Sequence, residues 1–204
     1  MTNSDPLVYI VDDDEAVRDS LSLLMRSVDL ASQTFGSAVE FLDAYKPTAH
    51  ACLVADIRMP GLSGLDLQQE LNRRGVALPL IFITGHGDVP MAVKAMQTGA
   101  MDFLQKPFRD QDLLDRIHKA LERDRKTRDS RRMAQKIRDR IATLTPRETE
   151  VMAKVVEGCA NKVIAMDLGV SQRTVELHRA RVMQKMGVRS LAGLVRLVAQ
   201  AEGS

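Results

Sequence analysis

The stretch Leu53-Val54-Ala55-Asp56-Ile57-Arg58-Met59-Pro60-Gly61 decides the fold. An apolar run of strand type ends on a carboxylate, and Met59-Pro60-Gly61 then forces a turn. This puts Asp56 at the carboxyl end of a parallel strand, where open α/β sheets hold their ligands. Three other apolar runs repeat the pattern. Leu7-Val8-Tyr9-Ile10-Val11 ends in Asp12, Asp13 and Asp14. The run from Leu78 to Ile83 ends on Thr84, and Met101-Asp102-Phe103-Leu104 leads to Lys106-Pro107. Laid side by side, these strands bring carboxylates, a hydroxyl and an ammonium to one rim. Such a rim suits a phosphoryl group and a divalent cation.

Helical spacing fills the gaps between the runs. Val17, Leu21, Leu24, Met25 and Val28 predict a helix over 15–28. A weaker strand over 31–35 follows, then a helix capped by Ser37, helices over 64–73 and 89–98, and one that starts at Arg109 or Asp110. Five strands alternate with five helices, and right-handed crossovers then give a doubly wound, flavodoxin-like parallel sheet. The order 2-1-3-4-5 makes strands 1 and 3 neighbours at the switch point, so that Asp12 and Asp13 face Asp56.

Carboxylates crowded into one pocket repel unless a cation joins them. Oxygen ligands select a hard ion, Mg²⁺ or Mn²⁺. Asp13 and Asp56 are the expected direct ligands, with Asp12 acting through water and the backbone carbonyl of Arg58 as a further donor. Asp56 is the expected nucleophile, forming an acyl phosphate. Lys106 then neutralises the transferring oxygens, Thr84 hydrogen-bonds the new phosphate, and Gly85 leaves the approach open. Lys106-Pro107 is a candidate cis peptide. Each feature has a plainer reading, since an Asp after a strand also caps helices and a loop His such as His86 is usually only solvated. The order Asp-Asp, Asp, Thr, Lys at successive strand ends outweighs those readings. A phosphohydrolase would use the same nucleophile, but needs a second Asp two residues on, and position 58 is Arg. A receiver reduced to a phosphate-independent scaffold would have no need of the full set.

These residues resemble a bacterial response-regulator receiver domain. The match is carried by Val11-Asp12-Asp13-Asp14, Asp56 through Gly61, Thr84 through Val93 and Lys106-Pro107-Phe108, the last two strings resembling the FixJ branch. The resemblance implies phosphotransfer from a sensor histidine kinase to Asp56, Thr84 as a switch residue and Phe103 as the aromatic that moves with it. It also implies a phosphorylation-dependent homodimer surface that includes Val89, Pro90, Val93, Gln105 and Arg109. Met91, Val93 and Met96 have a core reading beside that one.

The rest of the chain differs in charge. Residues 1–121 carry 11 basic and 17 acidic side chains, a net of −6; residues 122–204 carry 18 and 10, a net of +8. That asymmetry points to two domains and to nucleic acid as partner of the basic one. Residues 122–140 contain no Gly or Pro and read as a helical linker. Met133, Ile137, Ile141 and Leu144 at its end also permit a short coiled coil. Thr145-Pro146-Arg147-Glu148 is a capping box with Pro at the first helical position. Asn161 caps a helix that stops at Gly169, and Ser171 caps one over 172–186. Two short helices joined at Gly169-Val170-Ser171 form a helix-turn-helix signature. In the second helix Val175, Val182 and Met186 point inward. Arg173, Thr174, Glu176, Leu177, Ala180, Arg181 and Gln184 form the opposite, DNA-facing side, with Lys162, Arg173, Arg181, Lys185 and Arg189 as phosphate contacts.

This half resembles the LuxR-type helix-turn-helix domain, through Leu144 to Glu148, Asn161 to Ala165, Thr174 to Arg179 and Met183 to Met186. Together the resemblances imply a FixJ/NarL-type regulator with a receiver at 1–121, a linker at 122–140 and a DNA-binding domain at 141–204. They imply a regulator rather than an enzyme, binding of inverted half-sites in double-stranded DNA as a dimer, activation of transcription, and RNA polymerase as a further partner. No apolar run approaches the ~20 residues of a membrane helix, and no secretory signal is visible. Cys52 and Cys159 read as reduced core residues of a cytoplasmic protein.

Overall fold

The computed structural model describes residues 5–47, 50–85 and 89–202. The chain forms two compact units, Met1–Arg128 and Asp129–Ser204.

In the first unit five parallel strands are ordered β2-β1-β3-β4-β5. They are β1 (Leu7–Val11), β2 (Ala31–Phe35), β3 (Ala51–Asp56), β4 (Leu80–Thr84) and β5 (Asp102–Gln105). The connecting helices are α1 (Glu15–Ser27), α2 (Ala38–Ala44), α3 (Gly64–Arg73), α4 (Val89–Gln97) and α5 (Asp110–Ala142). Every residue of β3 and β4 is buried. This is why they read as unbroken apolar runs and not as alternating ones. Their side chains still alternate by face. Tyr9, Leu53, Ala55 and Phe82 pack with Phe41, Leu67 and Leu71, whereas Val8, Ile10, Val54, Ile81 and Ile83 pack with Leu21, Met25, Leu113 and Ile117. Each buried Val, Leu, Ile, Phe or Met among them contributes about 1.5–3 kcal/mol by leaving water. The edge strand β2 is mostly polar and mostly exposed.

Local chemistry sets the helix starts. Asp14 caps α1 by accepting from the Ala16 N–H at 2.9 Å. Ser63 and Asp66 form a capping box at α3. Gly64 opens α3 hard against β3. A Cβ there would run into the Asp56 carbonyl and lie 2.9 Å from the Phe82 ring. The β3–α3 corner therefore needs glycine, and the tight turn leaves the Asp56 side chain at the rim.

The second unit is helical. The last part of α5 packs with α6 (Pro146–Val156), α7 (Asn161–Leu168), α8 (Gln172–Met186) and α9 (Leu191–Glu202) around Ile137, Val151, Val155, Ile164, Val175, Val182, Met186 and Leu194. Residues 122–140, expected as a linker, lie inside α5. Gly169 ends α7 in the left-handed region at φ 65°, a conformation costly for a side-chain-bearing residue. One expectation is corrected. The N-cap of α7 is Ala160, without a side-chain cap bond. Asn161 is already helical, and its Oδ1 accepts from the Arg179 guanidinium at 2.6 Å. Both cysteines are free, Cys52 fully buried and Cys159 half-buried; burial pushes the Cys52 thiol up. No helix among the described residues is long and apolar enough to cross a membrane.

Candidate functional site

Strand register builds the rim. Val11 pairs with Ala55, so Asp12 and Asp56 leave the sheet level with each other. Thr84 pairs with Gln105, which brings Lys106 alongside. Asp12, Asp56 and Thr84 are buried, and Asp13 is exposed. The Lys106 ammonium stands 2.7 Å from Asp12 Oδ2 and 3.3 Å from Asp56 Oδ1. Asp12 Oδ1 accepts from the Asp14 N–H at 3.0 Å, and Asp56 Oδ2 from the Arg58 N–H at 2.7 Å. The Thr84 carbonyl accepts from the Lys106 N–H at 2.8 Å, and Lys106-Pro107 is cis.

Burial pushes the Asp56 carboxyl up. Lys106 and the Arg58 N–H pull it down, Asp12 pushes it up further, and the net direction is upward. Burial also works against the Lys106 charge, but Asp12 and Asp56 outweigh it and hold the ammonium above its ordinary range. One cation is thus divided between two buried carboxylates, and Asp56 gets the longer contact.

All the acidic donors are hard oxygens, which is the chemistry that suits Mg²⁺. Among the described residues, however, no three acidic, His or Cys side chains gather around one point. Lys106 sits between Asp12 and Asp56. Asp13 lies instead along a groove of about 520 Å³ lined also by Arg58, Met59, Pro60, Ser63, Leu65 and Met91. Gly85 is exposed with open space around it, and Phe103 is half-buried against the core beside α4.

Pro90, Val93, Gln105 and Arg109 are exposed, and Arg109 pairs with Asp112 at 3.1 Å. The side chain of Val89, and His86 altogether, lie outside the described residues. The two readings of α4 divide by residue: Met91 is half-buried against the core, whereas Val93 and Met96 are exposed. Sequence reasoning missed what holds the far end of α4. Gln68 donates to the Ala95 carbonyl at 3.1 Å and Asn72 to that of Thr98 at 2.9 Å. Those two residues stand four apart on α3, and that spacing was the available signal.

In the second unit α8 has the expected phase. Val175, Val182 and Met186 are buried, while Arg173, Glu176, Leu177, Ala180, Arg181 and Gln184 are exposed, as is Lys162 on α7. Thr174 is half-buried and its hydroxyl lies 2.8 Å from that of Ser171, at the start of the helix. Lys185, expected as a phosphate contact, is tied to partners within its own unit. Its ammonium donates to Glu148 Oε2 at 2.6 Å and to the Thr143 carbonyl at 3.0 Å. Glu148 is buried in the same unit and draws the lysine inward. Arg140 closes the far end of α8 by donating to the Met186 carbonyl at 3.0 Å.

Residues 8–118 match the response regulator receiver domain, and residues 142–198 match the bacterial regulatory proteins of the luxR family. The chain is 51% identical over 191 residues to Nodulation protein W of Bradyrhizobium diazoefficiens, covering 94% of this chain and 84% of that protein. It is 48% identical over 190 residues to the transcriptional regulatory protein FixJ of Azorhizobium caulinodans, covering 93% and 90%. Among solved structures, the response regulator StyR superposes with a TM-score of 0.86 at 44% identity, over 97% of this chain and 100% of that one. The chain belongs to the FixJ-like two-component response regulators, transcriptional regulators in which a receiver domain controls a LuxR-type DNA-binding domain, generally through phosphorylation.

Proposed function

We propose that Asp56 accepts a phosphoryl group from a sensor histidine kinase and that the acyl phosphate switches residues 141–204 to DNA binding. The observation that carries this reading is the Lys106 ammonium divided between Asp12 and Asp56, 2.7 and 3.3 Å away. A carboxylate oxygen of Asp56 attacks phosphorus, the donor N–P bond breaks, and its electron pair stays on the imidazole nitrogen. Lys106 follows the charge from carboxylate to phosphoryl oxygens. The Thr84 hydroxyl turns to the new phosphate and Phe103 moves with it. Asp13, Asp56 and the Arg58 carbonyl would hold Mg²⁺, with Asp12 in its outer shell, and the ion would supply positive charge at the transferring oxygens.

The exposed face of Pro90, Val93, Gln105 and Arg109, with Val89, is the candidate dimer surface, since two-fold pairing there suits inverted half-sites. Residues 1–121 act as the receiver, 122–140 as the helical linker and 141–204 as the reader. Arg173, Arg181 and Lys162 contact phosphates, while Glu176, Leu177, Ala180 and Gln184 meet base edges. The protein acts in the cytoplasm, as a regulator rather than a turnover enzyme, and as an activator it works with RNA polymerase.

The test is light scattering and DNA binding after treatment with acetyl phosphate and Mg²⁺. Dimer formation with tighter operator binding, both lost in Asp56→Asn, supports the reading. DNA binding that is equally tight before and after phosphorylation contradicts it.

A further inference from the structure

Arg18 stands in the first turns of α1, four residues after the Asp14 cap. The helix dipole favours acids there and disfavours a cation, so something else must hold the side chain. The guanidinium folds back over the β1–α1 loop. Its Nη1 donates to the Asp12 carbonyl at 2.7 Å and to the Asp13 carbonyl at 3.0 Å. Among the described residues these two carbonyls, and no carboxylate, are its hydrogen-bond partners.

The direction of those bonds matters. The Asp12 and Asp13 main-chain oxygens turn to Arg18 on α1 and their carboxylates do not, while the Asp14 side chain caps the helix. The Asp12 carboxylate goes to Lys106 and the Asp14 N–H, and the Asp13 side chain lines the groove beside Arg58. A basic side chain bonded to the Asp13 carboxylate would compete with any cation for it. Arg18 brings positive charge to the loop, and among the described residues the Asp13 carboxylate has no hydrogen-bond or ion-pair partner.

We propose that Arg18 is a positioning residue of the phosphotransfer site: it fixes the Asp12–Asp13 main chain so that Asp13 presents a free carboxylate to a divalent cation. The proposal deepens the reading of Asp56 as acceptor and rests on it. Arginine suits the task because a single guanidinium nitrogen reaches both carbonyls and its charge does not titrate.

The test uses the full chain as wild type, Arg18→Met and Arg18→Lys. Met keeps the length and helix preference without donors or charge, and Lys keeps charge and donors. MgCl2 is titrated calorimetrically, melting is measured without metal, and phosphoryl uptake from acetyl phosphate is followed by intact mass. Loss of a group that orients a metal ligand weakens affinity about tenfold. The Met variant should show that loss and the Lys variant should recover part of it. Phosphoryl uptake by the Met variant should be slow at low MgCl2 and return to the wild-type rate at saturation.

An unchanged Mg²⁺ affinity in the Met variant overturns the proposal, and a lowered melting temperature alone would then make Arg18 a structural tie. If the Met variant does not fold, the Lys variant decides, because it should bind Mg²⁺ measurably more weakly than wild type. A wild type that binds Mg²⁺ but takes up no phosphoryl group contradicts the Asp56 reading instead, and the titration still decides the role of Arg18.

Discussion

Two buried carboxylates, one in each unit, have opposite fates. Glu148 has a lysine of its own, Lys185 at 2.6 Å, and the Thr145 N–H at 2.9 Å. The Lys185 hydrogen bond, joined by that from Thr145, holds its carboxyl down to about 2. Asp56 has one N–H and a share in Lys106, which sits closer to Asp12, and burial pushes its carboxyl up. The first site is satisfied and holds a helix. The second is left short of positive charge. A carboxylate matched by a lysine of its own is part of the scaffold, and one left short of positive charge is where a ligand belongs.

The comparison is sharpest where its halves respond with opposite signs. Glu148→Ala removes the capping box and strands Lys185, so the melting transition of the C-terminal unit should fall by on the order of 10 °C. Calorimetry of the full chain measures this, and phosphoryl uptake should be unchanged. Asp56→Asn removes a charge that burial disfavours, so the receiver transition should rise by a few degrees, about the size expected for roughly 1 kcal/mol. A fall on Asp56→Asn would mean that Lys106 satisfies the carboxylate after all.

pH separates the two units in the same way. The Glu148 carboxyl is held below its ordinary 4.5, so the stability it adds is complete above 4.5 and is lost as pH falls towards about 2. The Asp56 carboxyl lies above its ordinary 3.8, so its contribution is present in acid and is lost as pH rises through the raised value. Scans between pH 5 and 3, at about one-unit steps, should show Glu148→Gln flattening the acid loss of the C-terminal unit. Asp56→Asn should flatten the change of opposite sign in the receiver. Mg²⁺ at about ten times its dissociation constant should stabilise the receiver alone, by roughly 1.4 kcal/mol, and Asp13→Asn should abolish that gain.

The smallest effect is on DNA. Arg181→Ala should reduce the slope of log affinity against log salt by about one unit and leave melting unchanged. Lys185→Ala should lower the melting temperature instead, because its ammonium is tied to Glu148. Binding isotherms at several salt concentrations, set beside melting curves, distinguish a phosphate contact from an internal tie.

The rim was legible because it depends on the chain alone. Apolar runs ending in Asp12, Asp56, Thr84 and Lys106 fix both the strands and the level at which they end. Gly169 and Ser171 likewise announced the turn between α7 and α8. What the sequence hid were choices among partners. Lys185 was read by its charge and its helix face, but a buried acid 37 positions earlier claims its ammonium. Asn161 looked like a cap, yet its amide serves Arg179 from α8. Arg18 carried one readable sign, a cation in the first turns of a helix, but only the fold brings it to the carbonyls it bonds. Side chains that answer to distant partners cannot be placed by periodicity.

The most direct measurement is intact mass after incubation with acetyl phosphate and MgCl2, on wild type and Asp56→Asn, with the adduct mapped to a peptide. The account predicts one phosphoryl group on the wild type, located at Asp56, and none on the variant. An adduct retained in Asp56→Asn, or a wild type that stays unmodified at saturating Mg²⁺, would contradict it.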